Sequence, residues 1–568
     1  MPSDPMTAVI QQPPVLLHKN QMLRKEILII LSLVQASAQV TTSQYDNART
    51  GADLNETILT PRNVNARQFG KIFTLSVDGD VYTQPLYLAG LDIPGKGKHN
   101  VLFFATEHNS VYAFDADTSA PPLWQASFVN PSAGITTVPD RDVRCPFISP
   151  EVGITPTPVI DAATGTLYVL ARTKESGHYY QRLHALDVTS GAEKFGGPVA
   201  IQAAVKDNGY FGGHFAGDVV FSQLRELPRA GLLLVNGKVY LSWGSSCDVG
   251  PYHGWIMAYD ARTLKQTAVF NTSPDSSESG IWQGDAAIAA DAAGNVFAVT
   301  GNGKFDAGTG GRDYGDTVLK LGLTNGGLVV RDYFTPSNQQ YLNSEDLDVG
   351  STGPVLLPDQ PGGHPHVLVV AGKEGRIYVV DRDRMGKFQP GADPHAIQTI
   401  PRGAGTGAFG APAYWNGHVY WLGSKDVLKD WAVDHGRLSA RPVAAASTVF
   451  TDPGATPTVS ANQSRDGIVW VVQTKTWNAF RSGLPAILRA YDAADVSREL
   501  YNSAQLASRD VAGSALRFVI PTVANARVYI GTQREVDVYG LLAPPTQQKV
   551  RVTSAPARSA GTRKRGNP

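Results

Sequence analysis

The chain has 568 residues, 42% of them apolar, with 50 Lys+Arg balanced by 50 Asp+Glu. That apolar content supports a large core and excludes global disorder, while zero net charge gives no field for gathering nucleic acid or an anionic membrane. With Cys145 and Cys247 as the only cysteines, a disulfide scaffold, a Cys-rich zinc site and a C-x-x-C-H haem site are excluded.

In chain order, Met22-Leu-Arg-Lys-Glu reads as a second translation start, followed by the apolar run from Ile27 to Val34. Ala36-Ser-Ala38 then supplies the small-x-small pattern of a signal-peptidase site, which predicts export to the periplasm or exterior with a mature start at Gln39. The apolar run is shorter than the roughly 20 residues that span a bilayer, so no membrane span is expected. The predicted organisation is a targeting segment over 1–38, a lead-in over 39–65 and a β-rich region over 66–542. A Pro/Ser/Ala-rich basic tail over 543–568 is expected to be disordered.

The β-rich region consists of paired runs. Val101–Thr106 stands with Ser110–Asp115, Thr166–Ala171 with Gln181–Asp187, and Val239–Gly244 with Trp255–Asp260. Val296–Gly301 precedes Thr317–Leu323, Val367–Gly372 precedes Arg376–Asp381, and His418–Gly423 precedes Val427–Asp434. Ile468–Thr474 with Ile487–Asp492 and Arg527–Gly531 with Val536–Leu541 complete the series. Spacings of roughly 50 to 75 residues mark a repeat, too β-rich for a helical solenoid. A sheet of three or four short strands cannot bury both faces alone, so the units must stack around an axis. The expected fold is an all-β, eight-bladed β-propeller. Phe69–Val77 has no partner of its own, and it is expected to complete the last blade and so close the ring.

Several features are expected to be structural. Asp115, Asp187, Asp260, Asp381 and Asp492 recur once per blade, which suits turn hydrogen bonds. Gly405-Thr-Gly407-Ala-Phe-Gly410 matches G-x-G-x-x-G, but the strand-then-helix context of a dinucleotide site is missing, so it reads as a connection between blades.

The repeats resemble the pyrroloquinoline quinone (PQQ) propeller repeat, most clearly in Ala113-Phe-Asp-Ala-Asp-Thr118 with Trp124 and in Ala185-Leu-Asp-Val-Thr-Ser-Gly191. The connections resemble, in order, the site of quinoprotein alcohol dehydrogenases. Gly244-Ser-Ser-Cys-Asp248 is similar to that family's metal-binding G-S-S-x-x-E, with Asp one methylene shorter than Glu. Trp282 followed by Thr300-Gly-Asn302-Gly is similar to its quinone-stacking Trp and metal-ligating Asn. Glu345-Asp-Leu-Asp-Val-Gly350 places Asp346 at the catalytic base and Asp348 at the extra carboxylate of lanthanide-using members. Lys373-Glu-Gly-Arg-Ile-Tyr-Val-Val-Asp-Arg382 matches the stretch that carries a cation beside the quinone.

The resemblance thus implies catalytic Asp346 and Lys373, a PQQ platform at Trp282, and calcium or a lanthanide on the hard oxygens of Asp248, Asn302 and Asp348. A small-molecule alcohol or sugar would be the substrate, with a separate electron acceptor because the chain carries no haem motif. The family's adjacent cysteine pair, within C-C-D-x-V-N-R-G, is replaced by Arg144-Cys-Pro-Phe-Ile-Ser-Pro150, which also lacks the Arg of N-R-G. Cys145 and Cys247 either pair across the same pocket or remain two thiols.

Each position also has a plainer role: Trp282 as a core aromatic, Asn302 as a turn residue, Asp346 and Asp348 as a solvated acidic loop. The alternative function is a non-catalytic exported propeller that binds a protein, peptide or glycan at its top face.

Overall fold

A computed structural model describes residues 39–207, 217–284 and 286–542. The expected targeting segment and basic tail fall outside these residues. Among the described residues no helix is long and apolar enough to cross a membrane.

Eight antiparallel sheets follow one another along the chain, each built outward from an inner strand. The first blade runs Leu86–Ile93, Gly97–Ala105, Ser110–Asp115 and Trp124–Ser127, and the second Val159–Asp161, Thr166–Glu175, His178–Asp187 and Val199–Ala200. Inner strands of the remaining blades are Leu233–Val235, Ala289–Ala290, Val355–Leu356, Ala413–Trp415, Thr458–Asn462 and Thr522–Ala524. The eight paired runs are the second and third strands of the eight blades, with boundaries moved by a few residues (Lys429–Asp434 where the pattern began at Val427). Phe69–Ser76 pairs antiparallel with Glu535–Leu541, so a strand from the start of the chain supplies the outer edge of blade eight. This closure pairs a strand edge that a linear array would leave open.

The core lies between neighbouring blades. Tyr168, Leu170 and Leu183 of blade two pack with Trp243, Trp255 and Met257 of blade three. Val367 and Val369 of blade five pack with Val419, Trp421 and Trp431 of blade six. A face of one twisted sheet thus becomes the core of the next, which is why no blade could fold alone. Each repeated aspartate makes a turn: Asp115, Asp187, Asp260, Asp381 and Asp492 accept from the backbone N–H two residues on.

The lead-in has a role that its sequence did not announce. Residues 39–53 run along the propeller axis and bond to every blade's inner strand. Gln39 and Val40 pair with Leu88 and Tyr87 of blade one, and Ile160 N–H of blade two donates to the Thr41 carbonyl. Asn47 Nδ2 donates to the Leu234 carbonyl of blade three, and Arg49 Nε donates to that of Ile288, just before the inner strand of blade four. Leu356, Tyr414 and Val459 of blades five, six and seven donate to the carbonyls of Ala48, Thr50 and Gly51. Val523 N–H of blade eight donates to the Tyr45 hydroxyl at 2.6 Å. The segment is an axle whose main chain meets the polar edges that a ring of inner strands would otherwise leave unpaired.

Candidate functional site

A cavity of about 380 Å3 lies at one end of the axis. Its wall includes Cys145, Cys247, Asp248, Trp282, Asp346, Asp348 and Lys373. Seven of the eight residues singled out by sequence therefore share one cavity. The eighth, Asn302, is bonded to two of them.

Asn302, Asp346, Asp348 and Lys373 form one network. Lys373 Nζ lies 2.6 Å from Asp346 and 2.5 Å from Asp348. Asn302 donates its backbone N–H to Asp348 at 2.6 Å and its side-chain Nδ2 to Asp346 at 2.8 Å. Gly301 makes this approach possible, because a Cβ there would stand 2.1 Å from Asp348 Oδ1 and 2.9 Å from the Trp282 ring. Burial opposes the charge on Lys373, but the charges and hydrogen bonds of Asp348 and Asp346 outweigh it and raise the ammonium above its ordinary value. Lys373 is thus a fixed cation.

Asp248 stands apart from this network. Tyr252 donates its hydroxyl to Asp248 at 2.9 Å. Burial raises the Asp248 carboxyl, the Tyr252 bond lowers it, and the charge of Asp348 raises it further. The buried Asp316 is likewise raised, chiefly by burial and then by Asp348, and it accepts from Val349 N–H at 3.1 Å. Among the described residues no three His, Cys, Asp or Glu side chains converge as metal ligands. The donors at hand are Asp248, Asp348 and the Asn302 carbonyl, whose buried Oδ1 accepts no hydrogen bond.

Trp282 is half-buried, with its ring packed on glycine: ideal Cβ atoms at Gly244 and Gly280 would lie 3.1 Å from it. Tyr252 meets it edge-on at 5.9 Å. The two cysteines are joined by a disulfide with Cα atoms 5.4 Å apart, tying the insertion before blade two to a loop of blade three across 102 residues of sequence. The open choice between a bridge and two thiols is thus decided for the bridge. Cys247, Asp248 and Asp346 all adopt left-handed φ values of 52–54°. Asp tolerates that region, whereas for Cys247 it is an uncommon conformation held by its surroundings.

The rest of the wall was not read from the sequence. Phe147, Phe409, Trp477 and Phe518 form an aromatic group, with Trp477 meeting Phe409 at 5.2 Å, Phe518 at 5.9 Å and Phe147 at 6.1 Å. Arg517 lies 4.2 Å from the Phe147 ring centroid and 4.5 Å from that of Trp477, and Arg229 lies 4.5 Å from Phe518. A signal for part of this wall existed. In six blades a proline immediately precedes the inner strand (Pro85, Pro158, Pro354, Pro412, Pro457 and Pro521). Three residues before three of those prolines stand Ser351, Phe409 and Phe518, all lining the cavity.

No protein-family model matches the chain. No curated protein matches it either. Among solved structures it is similar to the quinohemoprotein alcohol dehydrogenase ADHIIG from Pseudomonas putida HK5, at 15% identity over 92% of this chain and 82% of that one, with a TM-score of 0.59. It is also similar to a europium-containing methanol dehydrogenase, at 12% identity over 89% of this chain and 98% of that one, with a TM-score of 0.56. At these identities the likeness is one of fold alone, an eight-bladed β-propeller.

Proposed function

We propose that the protein is an exported, quinone-dependent oxidoreductase that oxidises an alcohol or sugar. One observation carries this reading: Trp282 and the Cys145–Cys247 disulfide wall the same cavity as the Asp346–Lys373–Asp348 network. PQQ is a planar, anionic ring system, and the cavity offers it an indole face backed by glycine together with fixed cations. When bound, PQQ supplies a carbonyl group that accepts hydride from the substrate carbon.

The chain's own residues would do the rest. Asp346 is the most exposed member of the network, 72% accessible in its side chain, and would accept the substrate hydroxyl proton. Lys373 and the Asn302 amide orient it. Lys373 also brings a positive charge to the quinone. A hard cation such as calcium or a lanthanide would be held by Asp248 and the open Asn302 Oδ1, alongside Asp348. The disulfide holds the 143–152 insertion over the cavity and limits water.

The test is titration of the exported form with PQQ and calcium or lanthanum, read by tryptophan fluorescence, with Trp282→Ala as control. Saturable, metal-dependent quenching that is weakened in the variant is expected, followed by alcohol-dependent reduction of an artificial electron acceptor. Absence of PQQ binding overturns the reading and leaves a non-catalytic binding propeller.

A further inference from the structure

All four main-chain polar groups of Asn302 and Gly303 are hydrogen-bonded, and three separate segments supply the partners. Asn302 N–H donates to Asp348 at 2.6 Å, and its carbonyl accepts from Ser279 N–H at 2.6 Å. Gly303 N–H donates to Asn343 Oδ1 at 2.7 Å, and its carbonyl accepts from Gln339 Nε2 at 2.9 Å. Gln339 and Asn343 stand four residues apart on the short helix Gln339–Ser344, so one helix face grips both polar groups of a single glycine. Gln339 also donates to Asp316 at 3.4 Å, and Asp316 accepts from Val349 N–H, next to Asp348. The helix thereby ties the Asn302 turn to the loop that carries Asp346 and Asp348.

The side chain of Asn302 completes this arrangement. Its Nδ2 donates to Asp346, and only the nitrogen end of an amide can donate to a carboxylate. The oxygen end is fixed on the other side, where Oδ1 is buried without a hydrogen-bond partner. With its N–H, carbonyl and Nδ2 all engaged, Oδ1 is the one polar atom of Asn302 left wholly open. Neither Gln339 nor Asn343 lines the cavity, so any influence they have on it runs through Asn302.

We infer that Gln339 and Asn343 are positioning residues: from a helix outside the cavity they hold the Asn302 turn so that Oδ1 is oriented for a hard cation. The inference rests on the reading of Asn302 as a cation ligand. An amide free to rotate must be ordered when the cation binds, which lowers affinity, whereas a held amide is ordered beforehand.

The experiment is titration of the disulfide-intact protein with terbium, a luminescent lanthanide. Binding is read by emission excited through tryptophan, and melting temperature is followed in parallel. Wild-type protein is expected to bind saturably, and Asn302→Ala to lose that binding. Asn343→Leu and Gln339→Met are each expected to weaken terbium by about 10–100-fold, the range for groups that orient a metal ligand. Asn343→Asp keeps the acceptor for Gly303 N–H and is expected to bind at least as tightly as wild type. Should Gln339→Met fail to fold, the two variants at the exposed Asn343 still decide.

Leu and Met variants that melt lower yet bind terbium as wild type does overturn the inference, because the clamp then serves stability alone. So does an Asn343→Asp protein that binds as poorly as Asn343→Leu. Wild-type protein that binds no terbium, or whose terbium binding survives Asn302→Ala, overturns it as well. PQQ titration separates this inference from the quinone reading. PQQ binding with no clamp effect on terbium overturns the inference alone, and clamp-dependent terbium binding without PQQ overturns the quinone reading alone.

Discussion

The axle and the cavity both lie on the propeller axis and both draw on nearly every blade, yet they are held by opposite means. Residues 39–53 are held largely through main-chain N–H and carbonyl groups, one blade at a time. The cavity is defined by side chains: a lysine between two aspartates, an indole on glycine, a disulfide and an arginine-bearing aromatic wall. Backbone bonding tolerates most residue types, so the axle carries little sequence signature. Side-chain chemistry does not, so the cavity's acidic half could be read from motifs.

The sharpest way to break this comparison is at the cavity. Lys373→Ala and Asp346→Asn are each expected to lower turnover by about 10²–10⁴-fold, the range for a positioned acid–base group. Thermal melting should change far less than activity, and a loss of folding in both variants would count against the division of labour.

At the axle the expected effect is on stability. Arg49, like Asn47 and Tyr45, bonds through its side chain: its guanidinium is fully buried and donates to the carbonyls of Ile288, Ser43 and Asp46 and to the Thr42 hydroxyl. Arg49→Ala leaves those acceptors buried and unmatched, and should cost roughly 3–5 kcal/mol in denaturant unfolding. Where the variant is folded, ligand affinity of the cavity is expected to be unchanged.

Removing the disulfide should fall between the two regions. Loss of a bridge typically costs about 2–4 kcal/mol, and Cys145→Ser should lower the melting temperature accordingly. Because Phe147 and Ile148 lie in the tethered insertion, cavity ligands should also weaken. A stability loss without any change in affinity would make the bridge purely structural.

The smallest expected effect is on pH dependence. Burial raises the Glu107 carboxyl from an ordinary value near 4.5 to about 7, partly offset by the Gly153 N–H donated to it at 2.7 Å. Its folded pKa is raised, so its stabilising contribution is fully present below pH 4.5 and is lost as pH rises through about 7. Glu107→Gln stays neutral and should flatten that decline by at most about 3 kcal/mol between pH 4.5 and 7.5. Asp80, also raised to about 7 by burial and by Glu151, keeps a residual slope in the variant. An unchanged slope would mean that Glu107 is hydrated in the folded protein.

What the sequence determined by itself is whatever repeats locally or follows from residue chemistry at short range. Alternating apolar strands and one aspartate per turn specify a blade, eight copies specify a ring, and an unpartnered strand at Phe69–Ser76 specifies its closure. Motif order along five connections was enough to single out Asp248, Trp282, Asn302, Asp346, Asp348 and Lys373. Tertiary structure decided the rest. Whether Cys145 meets Cys247, whether Tyr252 reaches Asp248, and whether Arg517 joins Arg229 against Phe518 all depend on how the loops are brought together around one axis. The same holds for the axle: its bonds run from one short segment to eight strands spread over the whole chain, and a main-chain N–H carries no residue-specific signature by which sequence could announce its partner.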